Sequence, residues 1–227
     1  WPPAELRAVV QSWLKKRHGW QVAEEALTFV PGVMRGVNMV GRAVGQPGDG
    51  ILAQPPVYYP FFEVPANSGR ELQLAEVPRR PDGRYEIDFD AFERAITPRT
   101  RLLLLCNPHN PVGRVFTRAE LERLGEICLR HDLVICSDEI HNDLIFQGHR
   151  HIPIASLAPE LAERTVTTLA PSKTFNIPGL SCSVMIIENE ALRKQVLAAG
   201  AGLVHGSNVM GYTAALAAYR DCESWLD

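Results

Sequence analysis

Short runs of apolar residues alternate along the chain with longer segments in which apolar residues recur every three or four positions. The short runs predict seven strands: Leu27–Val30, Ile51–Gln54, Glu71–Val77, Arg101–Cys106, Leu133–Cys136, Thr165–Leu169 and Ser183–Ile187. Arg101–Cys106 is apolar almost throughout, which is typical of a strand that is covered on both faces in a parallel sheet. The pattern therefore indicates a sheet in the interior of the protein.

Helical periodicity and capping residues predict what lies between these strands. One helix follows Gly32 and carries an apolar stripe of Val33, Val37, Val40 and Val44. Asp88 is a predicted N-cap of a helix that runs to Ile96, and Thr117-Arg-Ala-Glu120 has the sequence of a capping box. Two further helical stretches fall near 190–203 and 208–220. Strands joined by crossover helices predict an α/β protein, a three-layer αβα sandwich with a mostly parallel central sheet.

Composition narrows the class of protein. The chain has 227 residues, of which 46% are hydrophobic and 22% are charged, and this balance excludes an intrinsically disordered chain. A formal net charge of −3 gives no reason to expect nucleic acid or a membrane as a partner. The length fits one large domain or two small ones, and because no linker divides the sequence, we expect a single domain over residues 1–227.

The cysteines and the first residues bear on the cellular compartment. There are 5 cysteines, an odd number, and none are spaced as Cys-x-x-Cys. Buried, reduced cysteines in a cytoplasmic protein account for this usage best. The first residues resemble neither a signal peptide nor an initiator sequence, so we expect the chain to be part of a longer protein.

Polar side chains gather directly after three of the predicted strands. They are Asn107, His109 and Asn110 after the first, Asp138, Glu139 and His141 after the second, and Ser172 and Lys173 after the third. Ligands of open parallel sheets bind at the carboxyl ends of the strands. An amide, a carboxylate and an amine at one edge therefore predict a binding or catalytic site.

Common phosphate, hydrolase and metal motifs are absent from the sequence. Gly36 and Gly41 have the glycine spacing of a P-loop, but Arg42 stands where the lysine belongs and the segment falls within a predicted helix. His149 and His151 form a possible metal pair in a polar loop, but solvated histidines are the better interpretation. We therefore predict no metal site.

Three segments in this order resemble one known family. They read Asn-Pro-His-Asn-Pro-Val-Gly at 107–113, Ser-Asp-Glu-Ile-His-Asn-Asp at 137–143 and Ala-Pro-Ser-Lys-Thr-Phe-Asn-Ile-Pro-Gly-Leu at 170–180. They resemble fold-type I pyridoxal phosphate enzymes of the class I/II aminotransferase superfamily. The Asp-Glu-Ile-His sequence, together with segments 13–20 and 54–62, is most similar to the MalY/PatB branch of cystathionine β-lyase-like C–S lyases.

This resemblance implies pyridoxal 5′-phosphate as the cofactor and assigns residues to it. Lys173 would carry the cofactor as a Schiff base and later move the Cα proton of the substrate. Asp138 would pair with the pyridine nitrogen, since a nearby anion favours the protonated ring. Asn110 would donate to the phenolate oxygen, and His141 would stand near that oxygen, where many aminotransferases have a tyrosine. Tyr58 would stack on the ring, unless it is simply a core aromatic.

The phosphate group would lie at the start of the helix after Gly32. The backbone N–H groups of Val33 and Met34 would bind it, and Ser172 would add its hydroxyl. Ser181 stands where many members of the superfamily have a phosphate-binding arginine. The helix terminus, or the neighbouring subunit of a homodimer, would then carry more of the binding.

The resemblance implies an enzyme that eliminates a thiol from a sulfur amino acid and releases pyruvate and ammonia. An aminotransferase is the alternative, because it uses nearly the same residues. A non-catalytic sensor domain of a transcription regulator is a further alternative. The family also has an N-terminal segment and a C-terminal small domain that residues 1–227 lack, so we expect this chain to be the cofactor-binding large domain. Alone, it would bind the cofactor poorly or turn over slowly.

Overall fold

A seven-stranded sheet runs through the centre of the protein, whose structure, a computed structural model, describes residues 2–227. Its strands are β1 Leu27–Val30, β2 Gly50–Ala53, β3 Glu71–Leu74, β4 Thr100–Cys106, β5 Val134–Asp138, β6 Thr165–Leu169 and β7 Ser183–Ile186. Their order across the sheet is β1-β7-β6-β5-β4-β2-β3. All seven predicted strands are present, with bounds that differ by up to three residues.

The sheet is mostly parallel, as predicted. β2 runs parallel to β3 and β4, and β4, β5 and β6 are parallel to one another. β7 is antiparallel to both of its neighbours, β1 and β6, so β1 points in the same direction as the parallel strands. The carboxyl ends of β1, β2, β4, β5 and β6 consequently lie at one edge of the sheet.

Helices cover both faces of this sheet. They are α1 Ala4–His18, α2 Val33–Ala43, α3 Glu63–Asn67, α4 Phe89–Arg94, α5 Arg118–Arg130, α6 Pro159–Ala162, α7 Pro171–Thr174, α8 Glu190–Gly200, α9 Val209–Asp221 and α10 Glu223–Leu226. Alternate residues of β4 enter different cores. Leu102 and Leu104 pack with α2 and α8, whereas Leu103 and Leu105 pack with α4 and α5. The three-layer αβα architecture is confirmed.

The N-terminal helix α1 is an element that the sequence pattern did not predict. Its buried side chains Leu6, Val10, Trp13 and Leu14 form a core with β1, β7 and α9. The rings of Trp13 and Tyr219 lie 5.4 Å apart, so the beginning of the described chain packs on a helix near its end. Burial of this apolar stripe fixes α1 against the sheet.

Local signals account for the other helices. Three valines of the predicted stripe are buried along α2, and the fourth, Val44, is buried directly after its end. Gly36 and Gly41 lie inside this helix, so the segment is not a phosphate loop. The side chain of Asp88 accepts from the Ala91 N–H, 2.9 Å away, at the start of α4. The capping box is also present, because Thr117 Oγ1 accepts from Glu120 N–H while the Glu120 carboxylate accepts from Thr117 N–H. These caps fix where α4 and α5 begin.

The cysteines and the hydropathy of the helices add two observations. The cysteines of residues 2–227 are free, and Cys106, Cys128, Cys136 and Cys182 are buried. Burial raises the pKa of the Cys106 and Cys128 thiols to about 12, which keeps them protonated and unreactive. Among the helices that the structure describes, none is long and apolar enough to cross a membrane.

We predict that Thr117→Ala lowers the free energy of unfolding by about 1 kcal/mol, because the variant loses the side-chain half of the capping box. Urea unfolding monitored by circular dichroism measures this difference. Thr213→Ala is the matched control, since Thr213 is an exposed threonine within α9. Equal loss of stability in both variants would show that the cap contributes nothing particular.

Candidate active site

Loops after neighbouring strands bring the predicted site residues to one edge of the sheet. Asp138 is the last residue of β5, and in the sheet it stands between Cys106 of β4 and Thr168 of β6. The loop after β4 carries Asn110, and the loop after β6 leads into α7, which contains Lys173. The amide, the carboxylate and the amine therefore follow three adjacent strands, although they are far apart in the sequence.

Asp138 is a buried carboxylate, only 4% exposed. Its Oδ1 accepts a hydrogen bond from the Ile140 N–H, 3.2 Å away. Burial raises the pKa of Asp138 from its ordinary value of 3.8 to about 7, and the neighbouring Glu139 adds to the rise. The Ile140 N–H and the Lys173 ammonium oppose it. A carboxylate in this environment gains strongly from a cation placed beside it.

Lys173 is exposed and lies in the short helix α7. Its positive charge reaches both Asp138 and His141, since it lowers the pKa of each. His141 is half-buried, and burial is the larger cause of its lowered pKa, so its ring is neutral at pH 7. Lys173 therefore lies within electrostatic range of both Asp138 and His141.

Asn110 and His141 line a cavity of about 1020 Å³. Its walls come from the loops 108–115, 141–149 and 79–86. The backbone between β4 and this cavity is fixed by buried groups: Asn107 Oδ1 accepts from Phe116 N–H, and His109 Nε2 lies 2.9 Å from the Pro56 carbonyl oxygen. Asp138, Lys173, Tyr58 and Ser172 do not line this cavity, so it adjoins the edge of the sheet on the side of Asn110 and His141 only.

Tyr58 is half-buried, and its ring packs on the core that surrounds α2. It also lies 5.5 Å from the Tyr59 ring and 6.5 Å from the Phe61 ring. Burial raises the pKa of the Tyr58 hydroxyl, and the negative charge of Asp138 contributes. Tyr58 therefore belongs to an aromatic cluster and also stands within electrostatic range of the buried acid.

The start of α2 lies at the same edge of the sheet, directly after β1. Gly32 has a φ of 126°, a conformation that favours glycine, and it brings the backbone sharply into the helix. The first hydrogen bonds inside α2 run from Arg35 N and Gly36 N to the Gly32 carbonyl. The N–H groups of Val33 and Met34 precede them, so these groups can bind an anion.

Two further residues accompany this helix start. The Arg35 guanidinium donates to the Pro31 carbonyl, which holds a positive charge next to Gly32 and was not predicted from the sequence. Ser207 Oγ donates to the Val30 carbonyl, 2.9 Å away, which ties the segment 205–208 to the end of β1. Ser172, the remaining predicted phosphate ligand, is half-buried beside Lys173.

One histidine prediction is wrong. His149 is exposed as expected, but His151 is buried, and its Nε2 lies 2.8 Å from Glu139 Oε2. Ser137 Oγ donates to the other oxygen of the same carboxylate. The polar sequence around His151 gives no sign of this contact, because its partner Glu139 lies 12 residues earlier, in the loop after β5. Among residues 2–227, no group of three or more His, Cys, Asp and Glu side chains could hold a metal ion.

A further buried carboxylate, beside those of Asp138 and Glu139, was missed from the sequence. The side chain of Asp143 is 1% exposed, and it accepts from Trp13 Nε1 at 3.1 Å and from Thr174 Oγ1 at 2.9 Å. His18 Nε2 lies 3.1 Å from its Oδ1. Trp13 and His18 come from the unpredicted helix α1, so the sequence alone offered no signal for this cluster.

Comparison with known proteins gives consistent results. The profile of the family "Aminotransferase class I and II" matches residues 2–225. The chain is 43% identical over 231 residues to cystathionine beta-lyase PatB of Bacillus subtilis, an alignment that covers 100% of this chain and 59% of that protein.

Solved structures agree with the sequence comparison. A PLP-bound putative aminotransferase from Clostridium difficile superposes with a TM-score of 0.96 and 39% identity, covering 100% of this chain and 58% of that one. Cystalysin from Treponema denticola, whose crystal structure contains pyridoxal 5′-phosphate, gives a TM-score of 0.96 and 38% identity, with the same coverage of 100% and 58%. The chain thus spans less than two thirds of the length of these relatives.

We predict that Asp138→Asn stabilises the ligand-free protein above pH 7. Because folding raises the pKa of Asp138 from 3.8 to about 7, the folded state holds a proton in this window that the unfolded state has released. The wild type therefore loses stability relative to the variant as pH rises from 4 to 7, by about 1.4 kcal/mol per pH unit and about 4 kcal/mol at the plateau.

Urea unfolding of both proteins between pH 4 and pH 8 measures this difference. Asp82→Asn serves as the control, because Asp82 is an exposed carboxylate at the surface. A constant difference between Asp138→Asn and the wild type over the whole range would contradict the raised pKa.

Proposed function

We propose that this chain, which belongs to the family of class I and II aminotransferases, binds pyridoxal 5′-phosphate and is part of a carbon–sulfur β-lyase. The observation that carries the proposal is the placement of the buried carboxylate of Asp138 and the amine of Lys173 after adjacent strands, β5 and β6. The 43% identity to a cystathionine β-lyase supports a lyase within the family. A sulfur amino acid such as cystathionine is the proposed substrate.

The residues at the edge of the sheet fit this cofactor. The pKa of Asp138 is raised because burial leaves its negative charge poorly stabilised. The protonated pyridine nitrogen of the cofactor would supply the positive charge that stabilises it. Lys173 is exposed and can react with an aldehyde. The N–H groups of Val33 and Met34 begin an 11-residue helix and suit the phosphate, to which Ser172 would add a hydroxyl and Arg35 a positive charge.

Other residues would hold the cofactor ring. Asn110 lines the cavity, and its amide would donate to the phenolate oxygen. The half-buried ring of Tyr58 would stack on the pyridine. His141, which is neutral because of burial and the Lys173 charge, would stand near the phenolate without adding a second positive charge.

When bound, the cofactor supplies an electron sink for the charge that develops at Cα of the substrate. Asp138 keeps a proton on the ring nitrogen through its negative charge. The exposed Lys173 amine would remove the proton from Cα, and burial keeps water away from the Asp138 carboxylate. The thiolate would then leave from Cβ, and the released aminoacrylate would be hydrolysed by water to pyruvate and ammonia.

An aminotransferase is the second candidate. It is favoured by the close structural similarity to the putative aminotransferase from Clostridium difficile, at a TM-score of 0.96. The same Asp138 and Lys173 would serve both reactions, since each begins with removal of the Cα proton. The reactions differ in whether a group then leaves Cβ or the proton returns elsewhere.

We also propose that residues 1–227 act as the cofactor-binding large domain of a homodimeric cytoplasmic enzyme. The chain spans 59% of the length of the PatB enzyme, which supports a large domain. Buried, free cysteines within residues 2–227 fit a reducing compartment. The net charge of −3 gives no reason to propose nucleic acid or a membrane as a partner, and the similarity to a cystathionine β-lyase supports a small amino acid.

We predict that pyridoxal 5′-phosphate becomes attached to Lys173. After incubation and borohydride reduction, mass spectrometry should find the phosphopyridoxyl mass on the peptide that contains Lys173. Lys173→Ala should lose this attachment, whereas Lys194→Ala should keep it, because Lys194 is paired with Glu190 on the surface of α8. Attachment to several lysines at equal levels would contradict a specific site.

We predict that the full-length protein, supplied with the cofactor and L-cystathionine, releases pyruvate and thiol in equal amounts. Lactate dehydrogenase coupling measures the pyruvate, and a disulfide reagent measures the thiol. Lys173→Ala should lower the rate by at least about 1000-fold, since the proton at Cα loses its base. Amino transfer to a 2-oxo acid without thiol release would establish the aminotransferase instead. Lysine attachment with neither reaction would contradict both activities and favour the non-catalytic sensor.

A further inference from the structure

A cluster of buried polar side chains connects the Asp138 loop with the Lys173 helix. At its centre is Asp143, five residues after Asp138, with a side chain 1% exposed. Its carboxylate accepts from Thr174 Oγ1 at 2.9 Å, and Thr174 is the residue next to Lys173. Trp13 Nε1 donates to both carboxylate oxygens, at 3.1 and 3.2 Å. One carboxylate therefore holds three segments that are distant in the sequence.

The residues around the Asp143 carboxylate are themselves held in place. The Trp13 ring packs against Phe175 at 5.6 Å and against Tyr219 at 5.4 Å. His18, with a side chain 5% exposed, lies 3.1 Å from Asp143 Oδ1. Thr174 is 1% exposed. Trp13, His18 and Thr174 are thus each fixed by burial, so the position of the carboxylate is determined from several sides.

Thr174 and Phe175 both follow Lys173 directly, and both contact this cluster. The loop that carries Asp143 is itself fixed to the end of β5, because Asn142 N–H donates to the Glu139 carbonyl at 3.0 Å. The hydrogen bond between Thr174 and Asp143 is therefore a direct link between the loop of the buried acid and the helix of the amine. It joins the two groups that the proposed chemistry needs at a fixed separation.

General stability does not explain a buried carboxylate of this kind well. Taking a charge out of water is costly, and hydrogen bonds recover the cost without much surplus. Buried polar groups with complete hydrogen bonding do, however, specify one arrangement of the chain. Asp143 suits such a role, because its donors Trp13 and Thr174 come from α1 and α7 rather than from its own loop.

We propose that Asp143 is a positioning residue, which acts through Thr174 to direct the Lys173 amine toward the cofactor held by Asp138. This inference rests on the proposed function. Asp143 touches neither substrate nor cofactor. Loss of the hydrogen bond between Asp143 and Thr174 lets the short helix α7 change its orientation. The Lys173 amine then spends a smaller fraction of the time placed to react with the cofactor aldehyde.

Two cofactor forms separate positioning from folding and from binding. Pyridoxine 5′-phosphate carries an alcohol in place of the aldehyde, so it tests the ring and phosphate contacts without reaction at Lys173. Pyridoxal 5′-phosphate tests attachment, followed by borohydride trapping and mass spectrometry over time. Thr174→Val removes the hydroxyl and keeps the shape of the side chain, Thr174→Ser keeps the hydroxyl, and Asp143→Asn removes the charge.

Thr174→Val and Asp143→Asn are expected to bind pyridoxine 5′-phosphate within about twofold of wild type and to form the Lys173 adduct at least about tenfold more slowly. Thr174→Ser should restore the wild-type rate. Thr213→Val is the matched control, because the exposed Thr213 hydroxyl bonds only within α9 and the variant should react normally.

Attachment at the wild-type rate in Thr174→Val would overturn the positioning role. So would an equal loss of pyridoxine 5′-phosphate binding and attachment, because that result shows general damage to the fold. If Asp143→Asn does not fold, Thr174→Val against Thr174→Ser decides the question. A wild-type protein that forms no Lys173 adduct overturns the proposed function itself, which is a distinct result.

Discussion

The burial of one carboxylate, that of Asp138, is the constraint on which the rest of the site depends. The parallel sheet carries this group to the end of β5, between β4 and β6, where water scarcely reaches it. Burial makes the charged form of Asp138 less stable, and its pKa is therefore raised to about 7. In such surroundings a cation is attracted far more strongly than it would be at the surface. The same burial that weakens the empty protein therefore strengthens the binding of a protonated heterocycle.

Much of the fold could be predicted from the sequence because strands and caps are local signals. The apolar run of β4 and the capping box at Thr117 need no distant partner to be recognised. Strand direction is different, since the run Ser183–Ile186 reads the same whichever way it points, and the antiparallel setting of β7 follows from its connection. β3 ends at Leu74 rather than Val77 because its neighbour β2 ends at Ala53, opposite Leu74, and the prolines Pro55 and Pro56 that follow have no N–H to continue the ladder.

The site was predictable where it follows strand ends and unpredictable where it depends on distant contacts. Asp138, Asn110 and Lys173 stand out because polar residues rarely follow buried strands in this order, and the family resemblance then assigned their roles. Asp143 and His151 carry no such signal. Asp143 is buried by α1, about 130 residues away in the sequence, and His151 contacts Glu139 in the loop after β5. Such contacts form only in the folded protein, so no local sequence pattern predicts them.

The place of β1 in the sheet sets the order in which the chain can fold. Within residues 2–227 β1 pairs with β7, and Val30 stands opposite Ser183. At a synthesis rate of about 5–20 residues per second, β7 leaves the ribosome about 8–30 s after β1. The apolar side of α1 remains uncovered during this interval, and contacts so distant along the chain make folding slow. We therefore expect the N-terminal segment to pack onto the rest of the protein last. Until Trp13 contacts Asp143, an unfinished chain does not hold the Lys173 amine in its final position.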